Sequence, residues 1–105
     1  MEILTKKQFA ELHKSGSIGL VASCWDKSLE TIKDILADIS EFSVKPVSRV
    51  DIGDQGKYRK TVAYTETIKC RQFWFLHTIY DNSQCSDCSW DTTQTNTIIY
   101  MALPE

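Results

Sequence analysis

The clearest hydrophobic pattern in the chain is a stripe of apolar residues at three- and four-residue steps between Leu29 and Phe42. This spacing places the apolar side chains on one side of an α-helix. Asp26 or Ser28 can accept a hydrogen bond at the start of that helix, as an N-cap residue does. The pattern therefore predicts a helix over about residues 27–42 whose apolar side is buried against another layer of the protein.

A shorter helix is predicted near the N-terminus, from about residue 6 to residue 15. Thr5 and Gln8 have the spacing of a capping box, in which the threonine hydroxyl accepts from the Gln8 amide and the Gln8 side chain reaches back. Gly16 can end this helix. The segment that follows, residues 17–24, is short and apolar, and its periodicity does not distinguish a strand from a helix.

Extended segments are predicted through the rest of the chain. Residues 47–52 suit a strand at the edge of a sheet, because Pro46 cannot donate a backbone hydrogen bond. Residues 58–64 alternate between apolar and polar side chains, as a half-buried strand does. A further strand is predicted over residues 70–80, and its apolar centre on both faces indicates a central position. Residues 97–103 form the last predicted strand.

These elements predict the α+β fold class. Short links between the strands imply antiparallel pairing, with the helices packed on the sheet. We therefore expect two N-terminal helices on an antiparallel sheet of three to five strands, formed mainly by residues 47–103. With 105 residues the chain is long enough for one domain and too short for two, so residues 1–105 are predicted to be a single α+β domain.

The charge and the apolar segments limit the classes of partner. The chain has 12 Lys and Arg residues against 14 Asp and Glu residues, a net charge of −2, which gives no general attraction to nucleic acid or to an anionic membrane. The longest apolar stretch, residues 73–76, cannot span a membrane, and the first residues lack the apolar core of a signal peptide. We expect a cytoplasmic protein without a membrane partner, whose 4 cysteines are thiols or metal ligands.

Positive charge is concentrated in residues 57–71, a segment that contains five Lys and Arg residues and only one acidic residue, Glu66. Trp90 lies in a polar segment predicted to be a loop, where a large aromatic side chain anchors either the loop or a partner. The predicted partner-binding residues are Lys57, Arg59, Lys60 and Trp90. Cations beside aromatic residues also suit a domain that binds single-stranded nucleic acid directly, and that hypothesis remains an alternative.

Cys85 and Cys88 are separated by two residues, which is the spacing of half of a tetrahedral zinc site. A second such pair, or a pair of closely spaced histidines, is missing from the sequence. The two cysteines therefore fit either a zinc-stabilised nucleic-acid-binding domain or two free thiols in a polar loop. No other cofactor is expected.

Cys24 precedes the long predicted helix, where the helix dipole would stabilise a thiolate. His77, on a later strand, is the available base, with Asp81, Asn82 or Asn96 to orient it. This order of residue types resembles papain-like cysteine peptidases, and the resemblance implies a thiol hydrolase. The chain lacks a glutamine shortly before Cys24 that would help to form an oxyanion hole. In the competing interpretation, Cys24 packs as a small apolar side chain.

The sequence contains no glycine-rich phosphate loop, no Ser-His-Asp arrangement and no HExxH zinc motif. The leading prediction is therefore a non-enzymatic module that binds another protein as an inhibitor or a regulator. The opening ILTKKQFAEL is similar to the start of many small phage-encoded proteins, which implies an origin in a phage or a mobile element. Its target would be a host protein, and the basic segment favours one that handles nucleic acid.

Overall fold

The computed structural model describes residues 2–14, 18–47, 59–81 and 93–103. These residues form two helices and one antiparallel sheet of six strands in the order β1-β4-β5-β6-β2-β3. Along the chain the elements are β1 (Glu2–Leu4), α1 (Lys6–Lys14), β2 (Ile18–Trp25), α2 (Leu29–Asp38), β3 (Lys45–Pro46), β4 (Arg59–Ile68), β5 (Arg71–Asp81) and β6 (Thr93–Ala102). Neither described helix has the length and apolar character that crossing a membrane requires.

The prediction of three to five strands is wrong, because the described sheet has six. The three longest strands, β4, β5 and β6, do come from residues 47–103, but β1, β2 and β3 precede residue 47. The apolar segment that periodicity left undecided is β2, which pairs with β6 from Ile18 opposite Ala102 to Trp25 opposite Asn96. Pairing with a strand from the far end of the chain is a tertiary effect that local periodicity does not show. Strands as short as β1 and β3 give no periodic signal at all.

Both helices begin as the sequence predicts. The Gln8 amide donates to Thr5 Oγ1 at 3.1 Å, and the Thr5 amide donates to Gln8 Oε1 at 2.9 Å, which confirms the capping box. Ser28 is the N-cap of α2, and its hydroxyl accepts from the Thr31 amide at 3.2 Å. Residue 15, the predicted end of the first helix, lies outside the described residues.

The long helix ends at Asp38 rather than at residue 42, which corrects the predicted boundary. Its last turn has no basic residue to balance the negative end of the helix dipole. Arg71 on β5 provides that charge, because its guanidinium donates to the carbonyl oxygens of Ile39 and Ser40 just after the helix. Phe42 then packs edge-on against Phe73, with 5.4 Å between ring centroids.

The sheet has a separate apolar core on each face, one under each helix. On the face covered by α1, here called the α1 face, the buried residues are Phe9, Ile18, Ala63, Trp74, Leu76 and Tyr100. On the other face, the α2 face, they are Ile32, Leu36, Phe73, Phe75 and Ile99. Successive residues of β5 therefore enter different cores, which confirms that this strand is central and apolar on both faces.

Gly19 allows β3 to lie close against β2, where it is paired with Pro46. A Cβ atom on this residue would lie 2.8 Å from Leu103 Cδ2 and 2.9 Å from the Lys45 carbonyl oxygen, and it would also collide with Val44. Contacts this short include backbone atoms, which cannot move without disturbing the pairing of the two strands. Only glycine fits here without such a shift.

We expect Gly19→Ala to lower the free energy of unfolding by about 1–3 kcal/mol, because the added methyl group overpacks this contact. Urea denaturation should show a lower midpoint with an unchanged slope. Ala22→Ser, an exposed position on the same strand, is the control and should change stability by less than about 0.5 kcal/mol. Equal midpoints for Gly19→Ala and the wild type would contradict the close approach of β3.

Candidate functional site

One end of the sheet is polar, at the point where β2 and β5 end and β4 and β6 begin. Directly paired residues of antiparallel strands project from the same face. On the α1 face, the register therefore aligns a row of four side chains, from β4 to β2: Thr61, Thr78, Asn96 and Trp25. This row lies beyond the apolar core that packs against α1.

Trp25 is the most prominent residue of this polar end. Its side chain is 55% exposed, although its ring stacks on that of Tyr80 with 5.9 Å between centroids and 23° between planes. The two rings belong to strands on either side of β6, where Asn96 is the residue paired with Trp25. Asn96 is buried, and its amide donates to Ser23 Oγ at 3.0 Å and to the Cys24 carbonyl at 3.3 Å.

A β-bulge in β2 determines which face carries Trp25. The register shifts between Leu20 and Ala22, so one extra residue interrupts the alternation of side chains. Ile18 and Leu20 project into the core under α1 before the bulge, and Trp25 returns to the same face after it. Without the extra residue the indole would point to the α2 face, because a shift of one residue reverses the facing of every side chain that follows.

The structure separates the predicted partner-binding residues. Arg59 is paired with Tyr80 and shares its face, whereas Lys60 is paired with Ile79 on the α2 face. Lys57 and Trp90 lie outside the described residues. Of the predicted set, Arg59 alone is placed beside the exposed aromatic pair.

Sequence reasoning missed Trp25 and Tyr80 as a pair. The only available signal was Trp25 itself, a large aromatic residue at the end of an apolar segment of undecided type. Tyr80 is the residue before the end of β5, a strand that was correctly predicted. Their contact depends on β2 and β5 flanking β6, and that strand order cannot be obtained from either segment alone.

Cys24 does not lie at the start of a helix, because it is a residue of β2 and α2 begins only after Ser28. The register aligns Cys24, Thr97 and His77 on three successive strands of the α2 face, so the first and last are about 10 Å apart in backbone position. His77 Nδ1 instead lies 2.8 Å from Thr97 Oγ1.

A cysteine hydrolase requires a thiol paired with an imidazole. Here Thr97 lies between Cys24 and His77 in the sheet, and it is the residue that bonds to the His77 ring. Cys24 packs against the core under α2, as the competing interpretation expects. Asn96 lies on the α1 face, so it cannot orient His77. Asn82 is outside the described part of the chain, as is the side chain of Asp81.

The zinc hypothesis concerns residues that the structure does not describe, since Cys85 and Cys88 both fall in the gap between residues 81 and 93. Within the four described ranges, no group of three or more His, Cys, Asp and Glu side chains is arranged to hold a metal ion. Cys24 and Cys70 carry free thiols.

His77 is the one described ionisable group whose environment clearly shifts its titration. Burial lowers the pKa of its imidazole below the usual value, because the charged form loses solvation. The ring is held by Thr97, which is almost completely buried. The folded protein therefore favours a neutral imidazole.

We expect the free energy of unfolding to decrease as the pH falls through about 6.5, because the unfolded chain then binds a proton at His77 that the folded chain resists. His77→Asn keeps a polar group beside Thr97 and should weaken this dependence. Chemical denaturation between about pH 7.5 and pH 5 measures the effect. Parallel profiles for His77→Asn and the wild type would contradict the prediction.

No protein-family model matches the chain, and no significant match was found among curated proteins or solved structures.

Proposed function

We propose that this protein is a non-enzymatic protein-binding module that contacts its partner through Trp25, Tyr80 and Arg59, here called the Trp25 surface. The observation that carries this proposal is the 55% exposure of Trp25 in a position where its ring is already fixed by stacking. A large apolar side chain held at the surface in this way gains free energy when a partner removes it from water.

The three residue types support a protein interface. Tryptophan, tyrosine and arginine are the residues that most often dominate the binding energy of protein–protein contacts. The stack on Tyr80 also restricts the indole before binding, so less conformational entropy is lost when a partner packs on it. Arg59, paired with Tyr80, adds a planar group that can bond to carboxylates or carbonyls.

Direct binding of nucleic acid is the competing function, because stacked aromatic rings beside arginine also bind bases. A protein partner is favoured by the distribution of charge. The net charge is −2, and Lys60, which would be the second cation at this end of β4, projects from the opposite face. Binding of single strands relies on several phosphate contacts along one groove.

The proposed module acts as an inhibitor or regulator of the protein that it binds. The proposal keeps the target suggested by the sequence, a host protein that handles nucleic acid, and an origin in a phage or a mobile element. It also places the module in the cytoplasm, as the sequence suggested.

Two matched pairs of variants test the Trp25 surface. Trp25→Ala on β2 and Arg59→Ala on β4 alter the α1 face. Ile79→Ala on β5 and Lys60→Ala on β4 alter exposed residues of the α2 face. We expect Trp25→Ala to weaken partner binding by about 2 kcal/mol or more, because such anchors dominate interfaces. Affinity purification from extracts of the source cells, with quantitative mass spectrometry, should show partners lost with the α1-face variants and kept with the others.

Thermal denaturation of all four variants controls for loss of the fold. Partners recovered equally with Trp25→Ala and with the wild type would exclude the Trp25 surface as the contact. Salt-dependent binding of a single-stranded oligonucleotide, lost in Trp25→Ala, would instead favour the nucleic-acid function.

A further inference from the structure

One stretch of β2 lies at the outer edge of the described sheet, past the end of its pairing with β3. Elsewhere along the edges, β1 carries Glu2 and β3 consists of Lys45–Pro46. The start of β4, which pairs with β5 and lies beyond the stretch paired with β1, carries Arg59 and Lys60. Charged residues and proline at an edge prevent the pairing of a further strand. Residues 21–25 of β2 contain no charged residue and no proline. Within the described ranges, β3 pairs only with Gly19 and Leu20, the two residues before this stretch.

Two residues of this stretch direct backbone groups away from the sheet. The Asp26 amide donates to the Thr95 carbonyl of β6 at 2.8 Å. Because successive residues of a strand face opposite sides in the hydrogen-bond ladder, Ser23 and Trp25 direct their N–H and C=O groups to the outer edge. Among the described residues, no backbone group pairs with them there.

Residues 21–25 at the edge of β2 and the Trp25 surface share one residue, Trp25. Trp25 offers its backbone to the edge while its indole lies on the α1 face. A strand placed beside β2 would therefore set alternate side chains next to the exposed ring. Since this edge carries no charge, uncharged residues suit the positions opposite it.

We propose that the partner docks by adding an extended, uncharged segment to the outer edge of β2, with hydrogen bonds to Ser23 and Trp25 and one side chain resting on the indole. Backbone pairing provides affinity for an extended chain, and the aromatic ring selects the side chain beside it. This inference rests on the proposed function, because it names the form in which the partner meets the Trp25 surface.

Ser23→Pro and Ser23→Ala form the matched test. Both lose the hydroxyl that accepts from Asn96, but only proline also removes the N–H group that faces outward. Binding of the partner recovered by affinity purification should fall about tenfold or more in Ser23→Pro relative to Ser23→Ala, because a backbone acceptor of the docked segment is left unpaired. Equal binding by the two variants would overturn strand addition, and loss of binding in Trp25→Ala would still support the Trp25 surface.

Hydrogen exchange on the wild-type chain gives a readout that does not depend on the proline variant folding. The amides of Ser23 and Trp25 should exchange rapidly in the free protein and at least about tenfold more slowly in the purified complex. Unchanged exchange on binding would contradict the proposal. Sedimentation of the free chain completes the test: a dimer with the same two amides protected would assign the edge to a second copy and overturn the proposed partner.

Discussion

The antiparallel pairing of β2 with β6 is the interaction on which the rest of the structure depends. It joins a strand from the first quarter of the chain to the last strand, and it extends the sheet beyond β6 to the edge that β3 covers in part. The bulge between Leu20 and Ala22 divides β2 into two parts whose side chains contribute to different regions of the structure. Before the bulge β2 contributes Ile18 to the core under α1, and after it the strand presents Trp25 beyond that core.

Local signals predicted the features that depend on neighbouring residues. The capping box of Thr5 and Gln8, the N-cap at Ser28 and the central position of β5 all follow from short spacings. Features that depend on distant residues could not be predicted in this way. The early end of α2 is one of them, because the guanidinium that bonds to the carbonyls after the helix belongs to Arg71 on another strand.

The candidate site shows the same limit more clearly. Charge along the chain indicated Arg59, but consecutive strand residues point to opposite faces, so the neighbouring Lys60 is separated from it by the sheet. The hydrolase hypothesis assumed that Cys24 begins a helix, and its residues take other partners once that segment is a strand. Trp25 and Tyr80 come together only through the strand order and the bulge, and neither is visible in one segment.

The polar end of the sheet explains why this aromatic pair can remain accessible. Apolar side chains at the end of a sheet usually need a helix or a loop to cover them from water. Polar side chains are stable at such an end if they are hydrogen-bonded. Within the row that contains Trp25, Thr61 bonds to Thr78, and Asn96 bonds to Ser23 of the neighbouring row. Because the sheet satisfies these polar groups itself, they need no helix over them. The indole of Trp25 can therefore remain exposed beside side chains whose hydrogen bonds are already formed.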